Sequence, residues 1–368
     1  MKFKSVLDNV SIYEAGKPIE LLVREYGVEP KDIIKLASNE NPYGTMPEVT
    51  DVISRKAVSA CIYPDDSMYE LKDALAKKFE VSTKNIVIGA GSDQVIEFCV
   101  HAKCDKNSKV LMAKTTFAMY EIYAKQTGAT ILKTPSDAHN LDEFREIYKK
   151  EGADLIFLCL PNNPLGECLD ADDVYKFLDE VNEDTLVILD GAYQEYARYK
   201  DKAKEIIPSD VTSKYPNTIY LGTFSKAYAL GGMRVGYGIG DTNIIETLYK
   251  LRPPFNITTL SLAGAIEALK HDKFVHMSIE KNFEEMHRYE EYSKQKGFKY
   301  IPSYTNFITM YMDGYSSKEV AENLLKKGVI IRDMTGYGFN AIRITIGTHE
   351  QNSRVFTILD KVLSELDD

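Results

Sequence analysis

The 368-residue sequence has no tryptophan, only five cysteines and six histidines, and no apolar run of the length that spans a membrane. An odd number of cysteines without the paired spacing of zinc sites predicts reduced thiols and no metal. The histidines are scattered without ligand spacing. Because the N-terminus also lacks the apolar core of a secretory signal, these absences predict a cytoplasmic protein that does not enter the membrane.

An excess of positive charge is missing as well, since the formal net charge is -10 at pH 7 and the basic residues are interspersed with acids. Nucleic-acid binding needs clustered Lys and Arg, so the composition argues against a nucleic-acid partner. Hydrophobic residues make up 44% of the chain, which is enough for a sizeable core. This length predicts more than one lobe.

Short runs that are apolar at almost every position alternate with helical patterns up to about residue 240. Four such runs lie at 85–89, 154–160, 185–190 and 217–222. This alternation predicts an α/β fold with a mostly parallel sheet flanked by helices. A capping-box pattern, Ser67-Met68-Tyr69-Glu70, predicts that one of the helices opens at Ser67.

Beyond Arg252-Pro253-Pro254 the pattern changes to a long helical region and three short strands, which predict a smaller α+β lobe. These strands are predicted at 304–310, 328–332 and 341–345. The predicted organisation is an N-terminal segment that joins the small lobe, a large lobe, and a C-terminal small lobe, with the respective bounds 1–46, 47–252 and 253–368.

Thr223, Ser225 and Lys226 follow the last strand of the large lobe, and Arg234 lies eight residues beyond the lysine. A lysine amine condenses with an aldehyde, whereas hydroxyls and a guanidinium fork hold a phosphate dianion. Ligands bind at the carboxyl ends of the strands in open α/β sheets. This cluster therefore predicts a phosphorylated aldehyde as the ligand, and hence pyridoxal 5'-phosphate.

Asp190 ends its apolar run, and Tyr193 follows three residues later. One interpretation of Asp190 is an ordinary helix cap or turn residue. The functional interpretation is that it pairs with a protonated pyridine nitrogen, which keeps the ring able to absorb electrons. Asn163, held extended by Pro164, would then share the phenolic oxygen of the ring with Tyr193.

Gly91, Ser92 and Asp93 form a turn between a strand and a helix. Helix N-termini bind anions through free N–H groups and the helix dipole. The turn lacks the third glycine of a dinucleotide motif and the lysine of a P-loop, which disfavours nucleotides. Together with Thr223, Ser225 and Arg234, it predicts a site for the cofactor phosphate.

The order of these elements resembles the fold-type I pyridoxal-phosphate aminotransferases, and more narrowly the histidinol-phosphate aminotransferase group. The resemblance extends over nearly the whole chain and rests on Asn39-Glu40-Asn41-Pro42-Tyr43-Gly44, Tyr63-Pro64-Asp65, Gly91-Ser92-Asp93, Pro161-Asn162-Asn163-Pro164, Asp190 with Tyr193, Ser225-Lys226 with Arg234, and Ala341-Ile342-Arg343-Ile344-Thr345-Ile346-Gly347. It implies that Lys226 carries the cofactor covalently and that Arg343 receives the anionic group of the substrate.

The resemblance also implies a homodimer in which Tyr63 reaches the site of the partner. Two positions depart from the pattern of the group. Phe117 stands where relatives often place a tyrosine over the pyridine ring, so stacking is expected without a hydrogen bond. Gly191 follows Asp190 where relatives often have a glutamate, which predicts a freer loop.

The implied reaction is transamination between histidinol phosphate and 2-oxoglutarate in histidine biosynthesis. Lys226, displaced by the substrate amine, would act as the general base at Cα. Arg332 would add a second positive group for the substrate phosphate. The alternative interpretation of Arg332 is a surface ion pair with Asp333 or another acid. The remaining residues expected at the substrate are Tyr13, Asn41, Tyr43 and Tyr63.

Other functions stay open at this point. In an aromatic amino acid aminotransferase, Arg343 would hold the α-carboxylate while Tyr13, Tyr43 and Tyr120 accept the ring. A related pyridoxal-phosphate decarboxylase and a non-catalytic protein that only binds the cofactor are further alternatives.

Overall fold

The computed structural model describes residues 1–12 and 27–367 of the chain. Thirteen strands form three sheets in this part. In chain order they are β1 Ile34–Lys35, β2 Ile86–Gly89, β3 Lys109–Met112, β4 Thr130–Lys133, β5 Leu155–Cys159, β6 Leu186–Asp190, β7 Thr218–Thr223, β8 Gly236–Gly240, β9 Tyr300–Ile301, β10 Phe307–Tyr311, β11 Val329–Ile330, β12 Arg332–Asp333 and β13 Ala341–Thr345.

The α-helices of the described residues, again in chain order, are α1 Pro47–Lys56, α2 Tyr69–Phe79, α3 Ser92–Lys103, α4 Ala118–Thr127, α5 Leu141–Glu151, α6 Ala171–Leu178, α7 Gln194–Lys200, α8 Pro208–Lys214, α9 Thr242–Tyr249, α10 Thr259–Ala268, α11 Asp272–Lys296, α12 Ser317–Lys326 and α13 His349–Asp367. In this part of the chain, no helix combines the length and the low polarity that crossing a bilayer requires.

The largest sheet has seven strands in the order β2-β8-β7-β6-β5-β3-β4. Pairing is parallel from β7 to β4, and only β8 runs antiparallel to its two neighbours. Every residue of β5, β6 and β7 is buried, as expected for parallel strands covered on both faces. The predicted α/β fold with a mostly parallel sheet is confirmed.

Two apolar clusters cover the opposite faces of this sheet. Ile156 and Leu158 of β5 face one cluster together with α2 and α6. Leu155 and Phe157, which alternate with them, face the other cluster with α3 and α4. Because side chains alternate along a strand, one apolar run supplies both layers. Because β5, β6 and β7 pair in parallel, their carboxyl ends lie at one edge of the sheet.

The predicted helix start at Ser67 is wrong. Helix α2 begins at Tyr69, after Met68 in a left-handed conformation with φ 51°. Asp65 supplies the cap instead: its carboxylate accepts from the backbone N–H of Ser67 at 2.9 Å and of Tyr69 at 3.2 Å. The Ser67 hydroxyl donates to the same carboxylate at 2.7 Å, so an aspartate before the turn, and not Ser67, accepts the hydrogen bonds at this helix start.

The second sheet, β12-β13-β10-β9, is antiparallel and packs against α11 and α13. The strand predicted at 328–332 is divided in two. Its first half, β11, pairs in parallel with β1 in a separate sheet, and its second half, β12, pairs with β13. This division places Arg332 directly opposite Arg343. The domain bounds at residues 46 and 252 stay a prediction.

Gly191 shows why a glycine follows β6. It is buried, and its N–H donates to the carbonyl of Leu221 at 2.9 Å. A Cβ atom at this position would lie 2.5 Å from Cε2 and 2.7 Å from the hydroxyl oxygen of Tyr220. Tyr220 is itself only 3% exposed, so its ring has little room to move. The expectation of a freer loop is therefore wrong, because glycine is required here for space.

Gly191→Ala is expected to destabilise the protein by about 1–3 kcal/mol, the usual cost of overpacking a filled core. The measurement is the free energy of unfolding in urea. Gly336→Ala is the matched control, since no heavy atom of the described residues, apart from its own chain neighbours, lies within 4 Å of the Cβ position at Gly336. Equal free energies of unfolding for the two variants would contradict the steric account.

Candidate active site

A cavity of about 220 Å³ opens at the carboxyl ends of β5, β6 and β7, between the large sheet and the second sheet. Most of the residues predicted for the site line it. They are Gly91, Ser92, Asp93, Phe117, Asn163, Asp190, Tyr193, Thr223, Ser225, Lys226, Arg234, Arg332 and Arg343. Strand ends from one sheet edge thus bring together residues that lie far apart in sequence.

Lys226 lies in the loop after β7, and its Nζ donates to the backbone carbonyls of Ser38 and Asn39, both at 3.2 Å. Desolvation of the ammonium and the nearby Arg343 guanidinium lower the pKa of Lys226 to about 8. Its Nζ lies 5.7 Å from the centre of the Tyr193 ring. More of this amine is therefore neutral and nucleophilic near neutral pH than in an ordinary lysine, although the protonated form still predominates.

Asp190, the last residue of β6, is buried with 4% exposure. Its Oδ2 accepts from the Tyr120 hydroxyl at 2.6 Å, and its Oδ1 accepts from the N–H of Ala192 at 3.1 Å. Burial raises the pKa of Asp190, and these two hydrogen bonds oppose the rise. The sequence analysis assigns Tyr120 only to an aromatic substrate pocket and does not predict its hydrogen bond with Asp190.

Asn39 is a second residue that the sequence interpretation missed. Its backbone is left-handed, with φ 55°. Its Nδ2 donates to the Tyr193 hydroxyl at 2.9 Å, while its Oδ1 accepts from the Thr345 hydroxyl at 3.2 Å. The sequence signal for this conformation is the asparagine itself at the start of the Asn39–Gly44 motif, because Asn adopts the left-handed region more readily than most residues. Asn39 orients Tyr193 toward the cavity.

The side of the cavity at which the sequence predicts a phosphate is formed by the N-terminus of α3 and Arg234. Arg234 Nη1 donates to Ser225 Oγ at 3.2 Å and to the Gly231 carbonyl at 3.0 Å. Gly91 has φ 80°, and a Cβ atom there would lie 2.7 Å from Arg234 Nη2. Glycine therefore lets the guanidinium lie against the helix N-terminus, where both favour an anion.

Thr223 and Asp93 complete this side in different ways. The Thr223 hydroxyl accepts from Ser225 N–H at 3.1 Å and donates to the Val235 carbonyl at 3.3 Å, so it shapes the turn before Lys226. Asp93 Oδ2 accepts from the Tyr123 hydroxyl at 3.0 Å. Burial raises the pKa of Asp93.

Arg343, on β13, crosses from the second sheet into the cavity. Its Nη1 donates to Asn163 Oδ1 at 2.6 Å, and its Nη2 donates to the Ala37 carbonyl at 3.0 Å. The guanidinium carbon lies 5.0 Å from the centre of the Phe307 ring. With Arg332 opposite it on β12, two guanidinium groups line one wall, which suits an anionic substrate.

Asn41 and Tyr43, both expected at the substrate, do not line the cavity, and Tyr63, expected to reach the site of a partner, lies away from the cavity of its own chain. Asn41 Nδ2 donates to the Ala227 carbonyl at 3.2 Å, outside the cavity wall. Tyr43 packs beneath Lys281, with Nζ 5.2 Å from the ring centre. Tyr63 is 78% exposed and stacks on Phe255 at 4.7 Å. Tyr13 lies outside the described residues.

The donor set fits the three functional groups of pyridoxal phosphate. The amine of Lys226 suits the aldehyde, and the α3 N-terminus with Arg234 suits the phosphate. Asp190 is buried, with neutral donors on both oxygens, and a protonated ring nitrogen would supply the positive charge that it lacks there. In contrast, the described residues contain no cluster of His, Cys, Asp and Glu able to hold a metal ion.

Comparison with known proteins gives a consistent result. The family model for aminotransferase class I and II matches residues 31–359. Histidinol-phosphate aminotransferase from Aliarcobacter butzleri is 66% identical, with 100% of both chains covered. The enzyme of that name from Wolinella succinogenes is 57% identical over 99% of this chain and 100% of its own.

Among solved structures, histidinol-phosphate aminotransferase from Sinorhizobium meliloti in complex with pyridoxal-5'-phosphate superposes with a TM-score of 0.90 at 25% identity. The match covers 99% of this chain and 98% of that one.

Proposed function

Because this chain belongs to the class I and II aminotransferases, and within them to the histidinol-phosphate aminotransferases, we propose that it uses pyridoxal 5'-phosphate as its cofactor. In the proposed reaction, the amino group of histidinol phosphate is exchanged with 2-oxoglutarate. The observation that carries the choice of substrate is the pair Arg332 and Arg343, which face each other on adjacent strands and line the cavity that contains Lys226. Two guanidinium groups match a phosphate dianion.

When bound, the cofactor supplies an electron sink that stabilises negative charge at the substrate Cα. Lys226 would hold the cofactor through its aldehyde, and its Nζ, when free, would move the proton at the substrate Cα. Its lowered pKa, about 8, suits this role, since a base with a pKa close to the working pH transfers protons efficiently.

The other residues of the cavity orient the reacting groups. Asp190 would pair with the ring nitrogen, and Asn163 and Tyr193 would share the phenolic oxygen. Phe117 would stack on the ring. The anion site formed by Ser92, Ser225 and Arg234 would hold the phosphate, so that the cofactor stays in place while the Nζ atom of Lys226 moves the proton.

The pH dependence of cofactor capture follows from Lys226. In the cofactor-free protein, the rate of covalent capture of pyridoxal 5'-phosphate should rise with pH and reach half its maximum near pH 8, because only the neutral amine attacks the aldehyde. Stopped-flow absorbance between pH 6 and 10 measures this rate. A midpoint near the ordinary lysine value of about 10.4 would contradict the lowered pKa.

The proposed reaction is tested by the visible spectrum of the protein reconstituted with pyridoxal 5'-phosphate. Histidinol phosphate without an oxo acid should remove the absorption band of the bound aldehyde, and 2-oxoglutarate should restore it. Conversion by phenylalanine but not by histidinol phosphate would favour the aromatic alternative, and release of carbon dioxide would favour a decarboxylase. No band after reconstitution would rule out the cofactor.

We also infer that a second copy of the chain covers the surface around Tyr63. Val58, Ile62 and Tyr63 are 88%, 66% and 78% exposed, an unusual density of exposed apolar side chains beside a groove of about 420 Å³. In such a homodimer Tyr63 would serve the partner's cavity. Sedimentation velocity tests this, and a fully active monomer at assay concentration would refute it.

A further inference from the structure

Tyr120 is a buried tyrosine of α4 that connects two sides of the cavity. Its hydroxyl donates to Asp190 Oδ2 at 2.6 Å, although the two residues are 70 positions apart in the chain. The ring stacks on Phe157 with centres 4.1 Å apart and planes 4° apart. It also meets Phe117 edge to face, with centres 5.6 Å apart. Packing on both sides therefore fixes the direction in which this hydroxyl points.

The Tyr120 hydroxyl is important because few groups around Asp190 stabilise the charged form of its carboxylate. The titratable groups that act on Asp190 are the Tyr120 hydroxyl and the Asp93 carboxylate, and the Asp190 charge in turn acts on Tyr193, Tyr220 and the Cys159 thiol. None of these described groups is positively charged. Of the two hydrogen-bond donors to its carboxylate, Tyr120 Oη is the side-chain donor and Ala192 N–H the backbone donor.

A hydrogen bond donated to a carboxylate stabilises its charged form and lowers its affinity for a proton. Burial and the neighbouring Asp93 act in the opposite direction at Asp190. When a pyridine nitrogen and a carboxylate share one proton, its position depends on which of the two is the stronger base. A proton on the nitrogen keeps the ring cationic and able to accept electrons.

We propose that Tyr120 is a positioning residue that acts through Asp190: its hydrogen bond keeps the shared proton on the ring nitrogen of the cofactor and aims the carboxylate at that nitrogen. This inference rests on the proposed function, because it concerns the same cavity with pyridoxal 5'-phosphate bound. In this inference, Tyr120 contacts neither the substrate nor the cofactor, but through Asp190 it controls how strongly the cofactor ring accepts electrons.

The test compares Tyr120→Phe with Tyr289→Phe. Tyr289 is also fully buried on a helix, and its hydroxyl donates to Asn352 Oδ1 at 3.0 Å, far from the cavity on α11. Both variants thus lose one buried hydroxyl and one hydrogen bond while keeping the aromatic ring. Cofactor labelled with nitrogen-15 at the ring position reports protonation of that nitrogen directly by NMR of the holoenzyme.

In Tyr120→Phe, the nitrogen-15 resonance should move toward the unprotonated form. The kcat of the amine half-reaction should fall roughly tenfold to a hundredfold, the effect of losing one hydrogen bond to a charged group, with KM nearly unchanged. Tyr289→Phe should match wild type in both readouts. An unchanged resonance and kcat in Tyr120→Phe would overturn the inference.

A double-mutant cycle with Asp190→Asn separates action through the carboxylate from a general loosening of α4. If Tyr120 acts through Asp190, Tyr120→Phe should change kcat much less in the Asp190→Asn background than in wild type. An equal fold-change in both backgrounds would overturn the inference.

If Tyr120→Phe does not fold, a fluorinated tyrosine at position 120 keeps the packing and makes the hydroxyl a stronger donor. It should move the resonance further toward the protonated form, and no movement would overturn the inference.

These outcomes are distinct from failure of the proposed function. A wild-type protein that forms no band with pyridoxal 5'-phosphate, or that does not transaminate, would refute the proposed function itself. A wild-type protein that transaminates histidinol phosphate, with Tyr120→Phe indistinguishable from Tyr289→Phe, would refute only the role of Tyr120.

Discussion

Lys226→Ala is expected to lower the rate of the amine half-reaction by at least about a thousandfold, because the variant loses both the covalent attachment of the cofactor and the base at Cα. Single-turnover absorbance with histidinol phosphate measures this rate. The fold should survive: among the described residues, the hydrogen bonds of Nζ go to the carbonyls of Ser38 and Asn39, and removing a desolvated ammonium relieves a cost.

The control for this variant is chemical rescue. A small amine such as ethylamine, added at high concentration, should restore part of the proton transfer in Lys226→Ala, because the cavity left by the side chain admits it. Melting curves of the variant and wild type verify that the fold is intact. Multiple turnovers by Lys226→Ala without added amine would refute the central role of this lysine.

Arg343→Ala is expected to raise KM about a hundredfold in both half-reactions, since the amine donor and the oxo acid each place an anion at this guanidinium. Part of the loss is indirect, because Arg343 also donates to Asn163 and to the Ala37 carbonyl. Steady-state kinetics with each substrate varied in turn give the two KM values.

Arg343→Lys is the matched comparison for this site. It keeps the positive charge but loses the planar fork, so its KM should lie between those of wild type and Arg343→Ala. Unchanged KM values in Arg343→Ala would move the anion site elsewhere in the cavity. An increase for the oxo acid alone would mean that the phosphate of the donor binds mainly through Arg332.

The sequence sufficed for the architecture of the large sheet and for the strand ends that face the cavity. The segments 155–160 and 186–189 are apolar throughout and are followed by polar residues, Asn162 after a proline and Asp190 directly, and the structure ends β5 at Cys159 and β6 at Asp190. Because parallel strands deliver their carboxyl ends to one edge, residues named from separate motifs had to meet there.

Contacts between distant segments were not predictable in the same way. Tyr120 meets Asp190 across 70 positions, and Asn39 meets Tyr193 across 154. In neither pair does the sequence around one residue contain a pattern that predicts contact with the other. Gly191 is a related case, because its requirement comes from the Tyr220 ring on the neighbouring strand rather than from its own backbone. Such positions are decided by packing in three dimensions.

Arg343 carries a consequence for the redesign of this enzyme. The same guanidinium that faces the substrate also holds Asn163, a residue that contacts the cofactor in the proposed reaction, and the backbone at Ala37. A substitution that accommodates a different substrate at position 343 therefore also changes how the cofactor ring is oriented.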